Sequence, residues 1–183
     1  MAIGILGSGE FVTVQRKHSL RAGAQVPGAL VFREEAAADD VTFHLGLSGL
    51  RGRLPLGCRL EIQGEVYTVS EEAKADDATG DIAVRVTEPL MAGAAVLDGA
   101  TLVRLYGEQR LQAMRAGDTE GEAELQGTGL ERLAVLAEGA LWTPARGDFA
   151  LYAGRSRYIH EVRAIGSTAN PVGWRLFAGD NQP

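Results

Sequence analysis

Short runs of alternating apolar and polar residues, broken by glycine, proline and aspartate, recur along the whole chain. Phe11-Val12-Thr13-Val14, Ala29-Leu30-Val31-Phe32 and Val41-Thr42-Phe43-His44-Leu45 have the length and the β-branched or aromatic content of strands. Turn material such as Arg21-Ala22-Gly23 and Val26-Pro27-Gly28 separates them. A hairpin follows around Gly64, then a turn-forming loop, Asp76-Asp77-Ala78-Thr79-Gly80-Asp81, and an alternating run, Ile82-Ala83-Val84-Arg85-Val86. Pro89 to Gly93 breaks that strand, and Ala100-Thr101-Leu102-Val103-Arg104-Leu105 supplies the last one of a first module. Spacing of this kind predicts a barrel or sandwich that closes near residue 105.

From Tyr106 the composition changes. Gly107-Glu108-Gln109-Arg110-Leu111-Gln112-Ala113-Met114-Arg115 is polar and helix-friendly, and the stretch with Asp118, Glu120 and Glu122 is Gly-rich and acidic, which predicts a short helix running into a flexible linker or exposed loop. Leu130, Leu133, Ala134 and Ala137 share one helical face, although Leu133-Ala134-Val135-Leu136 also fits a buried strand; we read a helix. Thr143-Pro144-Ala145-Arg146-Gly147 turns into a second hairpin, and Trp174-Arg175-Leu176-Phe177 forms a final strand before a polar tail.

The two hairpins, residues 57–69 and 147–162, read as copies of one unit about 90 residues apart. Each has a Gly-led strand, a turn at Gly64 or Gly154, and a second strand opened by Tyr67 or Tyr158. Matching the tyrosines needs a one-residue slip. The inward set Cys58, Leu60 and Ile62 of the first copy then shifts phase to Phe149, Leu151 and Ala153 in the second. The predicted fold is mainly β, with two small barrel-like or sandwich-like modules in tandem. Residues 1–105 form an N-terminal module with a flexible arm, 106–129 a short helix and linker, and 130–183 a C-terminal module.

Composition narrows the function. The chain has 183 residues, 45% of them hydrophobic, enough for a core without disulfide or metal staples. Eighteen basic and 24 acidic residues leave a net charge of −6, so there is no footprint for gripping nucleic-acid phosphates. Acidic walls do suit a surface past which DNA slides without sticking. The single cysteine, Cys58, excludes an internal disulfide framework and fits a reducing cytosol. The opening residues lack a secretory pattern, and no apolar run reaches the roughly 18 residues of a membrane helix, so a soluble protein made in the cytoplasm is expected.

Candidate chemistry is sparse. His18, His44 and His160 lie on separate predicted strands without metal-ligand spacing, and no nucleophile elbow surrounds Cys58. Gly4, Gly7 and Gly9 match neither the dinucleotide fingerprint nor a P-loop and suit a flexible arm. Asp76, Asp77 and Asp81 do not have EF-hand spacing and read as solvated turn residues. The adjacent pairs Glu34-Glu35 and Glu71-Glu72 point to opposite faces of a strand and cannot share a proton. Arg16-Lys17-His18 and Arg51-Gly52-Arg53 are small basic clusters without interleaved aromatics, better suited to acidic patches on a neighbouring protein than to nucleic acid. No catalytic, cofactor-binding or metal-binding residue is assigned, and an enzyme is the weaker class. A ligand or glycan platform of Trp142, Tyr152, Tyr158 and Trp174 is a minor alternative.

Residues 57–69, followed by Gly80-Asp81 and a strand ending in Pro89-Leu90, resemble a hairpin pattern frequent in structural proteins of tailed bacteriophages. The second copy, from Arg146-Gly147-Asp148 to Val162 with Gly173-Trp174-Arg175-Leu176-Phe177 after it, is similar to the same pattern in head-tail connector and head-completion (stopper) proteins. The resemblance implies a ring in the virion neck, hexameric or dodecameric, that contacts portal or adaptor and tail proteins. It also implies that double-stranded DNA passes through without sequence-specific binding, that no residue is catalytic, and that no cofactor or membrane is involved. Carried over by position, Asp76, Asp77 and Asp81 and the acidic residues Asp118, Glu120 and Glu122 are candidate channel-facing or ring-contact loops. A tail terminator, a tail or baseplate component and a capsid decoration protein are alternative places in the virion. Free strand edges in such modules suit strand addition between subunits.

Overall fold

The computed structural model describes residues 10–114 and 129–180. Its strands are β1 (Phe11–Lys17), β2 (Arg21–Ala22), β3 (Ala29–Phe32), β4 (Thr42–Gly46), β5 (Leu50–Arg51), β6 (Arg53–Leu54), β7 (Arg59–Ile62) and β8 (Glu65–Thr68). They continue with β9 (Ala73–Lys74), β10 (Asp81–Arg85), β11 (Gly99–Arg104), β12 (Tyr106–Gln112), β13 (Glu131–Leu136), β14 (Phe149–Tyr152), β15 (Arg155–Gly166) and β16 (Pro171–Gly179). The mainly β class holds. The two helices expected from the sequence do not: their described residues form β12 and β13.

The chain divides into two compact units, one of residues 17–108 and one made of residues 1–16 with 109–183. The division is therefore nested, where the sequence suggested breaks near residues 105 and 130. The chain crosses from one unit to the other twice, inside β1 and inside β12.

In the inserted unit, six strands pair in the order β10-β4-β3-β11-β7-β8. The two ends of this sheet meet: Val69 bridges Val86, the Ser70 N–H donates to the Arg85 carbonyl (2.9 Å), and the Thr87 N–H donates to that of Thr68 (2.9 Å). Leu30, Phe32, Phe43, Leu45, Leu60, Ile62, Ile82 and Val84 fill the interior by strict alternation along their strands.

The other unit pairs its strands in the order β12-β1-β14-β15-β16-β13, and here too the ends meet. Ala113 bridges Val135, and the Met114 N–H donates to the Ala134 carbonyl (2.9 Å). Val12, Val14, Leu111, Leu133, Val135, Ala150, Ile159, Trp174 and Leu176 make its core.

Traced around each closed sheet, the two units have the same cyclic strand order. β7, β8, β10, β4, β3 and β11 of the inserted unit correspond to β14, β15, β16, β13, β12 and β1 of the other. Register agrees as well as order: Leu102 stands opposite Leu60 as Val14 stands opposite Ala150. The difference is one of connection. The inserted unit takes its sixth strand, β11, from the end of its own segment, whereas the other takes β1 from the start of the chain.

The repeat is tightest at the hairpins. Gln63 and Gly64 (φ 53° and 88°) and Ala153 and Gly154 (φ 47° and 71°) both form two-residue turns with two left-handed residues, matching the twist of the flanking strands. Ahead of each turn, the Gly57 N–H donates to Val69 O (2.8 Å) and the Val69 N–H returns to Cys58 O (2.8 Å). The Gly147 N–H likewise donates to Ile159 O (3.0 Å), and the Ile159 N–H to Asp148 O (2.9 Å).

This geometry overturns the expected phase slip. Asp148, Ala150 and Tyr152 face inward, as Cys58, Leu60 and Ile62 do, and the residue equivalent to Tyr67 is Arg157, not Tyr158. Two charged residues at inward positions had disguised the register. Asp148 is neutralised by Arg16, and the buried Arg157 by Asp180 and Glu131.

Candidate interaction surfaces

Asp76 and Asp81 are committed to their own unit. The Asp76 Oδ1 accepts the N–H groups of Ala78 (2.7 Å) and Thr79 (3.1 Å), which hold its carboxyl below the usual range and make a side-chain-closed turn. Asp81 pairs with Arg33 at 2.8 Å. Asp77 is exposed between them. Among the described residues Asp77 alone of these three carboxylates has no partner, and Asp118, Glu120 and Glu122 lie outside the described residues, as does the N-terminal arm with Gly4, Gly7 and Gly9.

The other residues singled out in the sequence do not gather into a reactive centre. Cys58 is fully buried, and burial together with Glu108 pushes its thiol up to about 12, so it is inert. His44 approaches Glu34 at 3.6 Å, His160 packs edge-on against Tyr158, and the Nδ1 of His18 accepts the Leu20 N–H. Tyr152 and Trp174 are buried in the core of their unit, which leaves no exposed platform of the four aromatics. Among the described residues no group of three or more His, Cys, Asp or Glu side chains could hold a metal ion, and no helix is long and apolar enough to cross a membrane. The end strands of each sheet meet at one bridge, Val69 with Val86 and Ala113 with Val135.

The inserted unit carries two surfaces, the second of which contains Arg51 of the basic cluster singled out in the sequence. The first lies beyond the N-terminal end of β4, where three segments meet. Ala36 and Ala94 exchange a pair of hydrogen bonds (2.9 Å each), the Asp39 N–H donates to Leu90 O (2.8 Å), and the Gln63 amide donates to Gly93 O (3.1 Å). The Met91 N–H donates to the Tyr67 hydroxyl (3.0 Å).

On this framework Met91 is 76% exposed and Leu97 69%, with Val96 and Val66 about half exposed. Leu97 also adopts φ 72°, a left-handed conformation that costs a branched residue roughly 1–2 kcal/mol. The turn is held by the Asp98 carboxylate, which accepts the Ala95 N–H at 2.7 Å. Segments 34–40, 61–66 and 88–98 contain Glu34, Glu35, Asp39, Asp40, Glu61, Glu65, Glu88 and Asp98 and not one lysine or arginine. The carboxylates of Glu35, Asp39 and Glu65 have no partner among the described residues, and Arg85, exposed opposite Thr42, is a cation at the same end.

The second surface lies beyond the C-terminal end of β4. Strands β2 and β5 form a two-stranded ribbon in which Arg21 stands directly opposite Arg51, both exposed. Like charges across a ladder repel, and neither guanidinium has a carboxylate partner among the described residues. Nearby Arg53 is occupied by Glu72 at 2.6 Å.

Fold and surfaces together define a chain that is all-β over its described residues, with two six-stranded sheets and, on the inserted unit, an acidic, apolar end and an arginine ribbon. No protein-family model, curated protein or solved structure matches it.

Proposed function

We propose that this chain is a structural protein of the tailed-phage neck, forming a ring between portal or adaptor and tail that completes the head and lines the path of the DNA. The observation that carries this reading is the recurrence of the Gly-led hairpin, which bears the resemblance to head-completion proteins, with the same backbone hydrogen bonds in both units. Each of the two six-stranded units is compact in itself and carries loops that are free to meet neighbours. The exposed apolar end of the inserted unit, rimmed by carboxylates, is a surface suited to protein contact. A net charge of −6 suits a wall that DNA passes without being held.

The test is deletion of the gene from the phage genome that carries it. Heads that package DNA but lack tails and lose their contents are expected. Tailed particles of normal infectivity would count against a neck position and for a place on the capsid surface.

A further inference from the structure

We infer that copies of this chain join head to tail through the inserted unit, the Arg21 and Arg51 ribbon of one copy seated on the acidic, apolar end of the next around Met91 and Leu97. Each surface lacks what the other offers. The ribbon holds two opposed guanidinium groups that no carboxylate of the described residues engages, and the far end holds Glu35, Asp39 and Glu65 against one exposed cation, Arg85, opposite Thr42, around exposed apolar side chains.

The acidic segments around Asp39 and the ribbon leave β4 at opposite ends, so one molecule does not bring those carboxylates and guanidinium groups together. Val86 N–H bonds to Val41 O at the acidic end, and Leu47 N–H to Gly80 O at the ribbon end. A second copy brings them together, with an apolar centre and a charged rim as protein interfaces require.

In the loop adjacent to the ribbon one exposed carboxylate, Asp77, is left without a partner among the described residues, and the other two are taken. Asp76 is turned to the amides of Ala78 and Thr79, and Asp81 to Arg33. Duplex DNA is the other polyanion two arginines could meet, but exposed Asp77 in the adjacent loop and the net charge of −6 disfavour it. Because the two surfaces differ, the contact is heterologous and propagates into a closed ring or an open filament. The inference deepens the neck reading and rests on it only for closure into a ring.

The experiment uses the full chain in sedimentation velocity at about 50 mM and about 500 mM salt, a range over which screening length falls severalfold. Two charge-reversed variants are made, one Arg21→Glu with Arg51→Glu, the other Glu35→Lys with Glu65→Lys. The wild type is expected to associate at low salt and at least tenfold more weakly at high salt. Each variant alone is expected to stay monomeric, and an equimolar mixture to associate again, since each then offers the complement of the other.

Recovery in the mixture also shows that both variants fold. A wild type that is monomeric at every concentration overturns the inference, as does association unchanged in either variant, or a mixture that fails to recover. Binding of a short DNA duplex by a monomeric wild type, lost with the arginines, overturns it in favour of the nucleic acid. Should a virion map place the chain in the neck with neighbours meeting by other faces, this contact falls and the neck reading stands. Should the mixture recover while deletion leaves tails in place, the contact stands and the neck reading falls.

Discussion

Replacing Asp148 with alanine should destabilise the unit of residues 1–16 and 109–183, the outer unit, far more than removal of any other single carboxylate pairing among the described residues. The Asp148 side chain is 3% exposed and receives Arg16 Nε at 2.8 Å, Arg16 Nη2 at 2.9 Å and the Ala145 N–H at 2.9 Å. This fork ties β1, the strand borrowed from the chain's start, to the turn leading into β14. Breaking a buried ion pair by deleting one partner costs about 3–5 kcal/mol. Arg16 is about a third exposed, so water takes up part of the stranded charge, and the expected loss is about 3 kcal/mol. For a unit of about 90 residues that is a fall in Tm of roughly 12–24 °C.

The chain supplies its own probe. Its two tryptophans, Trp142 and Trp174, both belong to the outer unit, so denaturant unfolding followed by tryptophan fluorescence reads that unit. The control is Asp81→Ala, which breaks the Arg33 pair in the inserted unit, where both partners are a third or more exposed; it should cost less than about 1 kcal/mol and leave the tryptophan transition in place. A loss under about 1 kcal/mol for Asp148→Ala would refute the argument that this fork holds β1 in the sheet.

Three further outcomes are expected. Cys58, buried and with its thiol pushed up to about 12, should resist a thiol reagent at pH 8 until the inserted unit unfolds, so labelling that tracks reagent concentration in native protein would contradict its placement. Burial lowers the His18 imidazole below 6.5, so the unfolded chain takes up a proton first. Stability should be independent of this group above pH 6.5 and decline as pH falls from there toward the lowered value; His18→Gln should remove that part of the slope in denaturation midpoints measured against pH. Leu97→Gly relieves a left-handed leucine while removing exposed apolar surface, so thermal melting should hold or rise as self-association weakens; a large drop in Tm would mean that Leu97 serves the fold instead.

Much of the β architecture was legible because burial alternates cleanly where the strands carry apolar residues. Phe43 and Leu45, Leu60 and Ile62, Ile82 and Val84 announced their strands by period two. β12 did not. Its inward positions are Gly107, Gln109, Leu111 and, just past its end, Ala113, so the alternation hides behind a glycine and an amide and the polar outer face reads as helix. Gln109 is tolerated inside because its amide accepts the N–H groups of Leu141 and Trp142 and donates to the Trp142 carbonyl.

The same physics disguised the second hairpin. Asp148 and Arg157 occupy core-facing sites by virtue of ion pairs with residues distant in sequence, and local pattern carries no sign of such partners. The nesting was equally hidden, since β1 finds β14 across more than a hundred residues. The acidic, apolar end was partly visible in Pro89-Leu90-Met91 and Val96-Leu97-Asp98, but only the folded chain brings those residues beside Glu35 and Glu65.

Electron cryomicroscopy of purified particles tests the central claim most directly. A ring of these chains at the junction of head and tail, each contributing two closed six-stranded sheets around the DNA path, is the expected result. Density for the chain on the capsid lattice or along the tail, or particles that lack it altogether, would contradict the account.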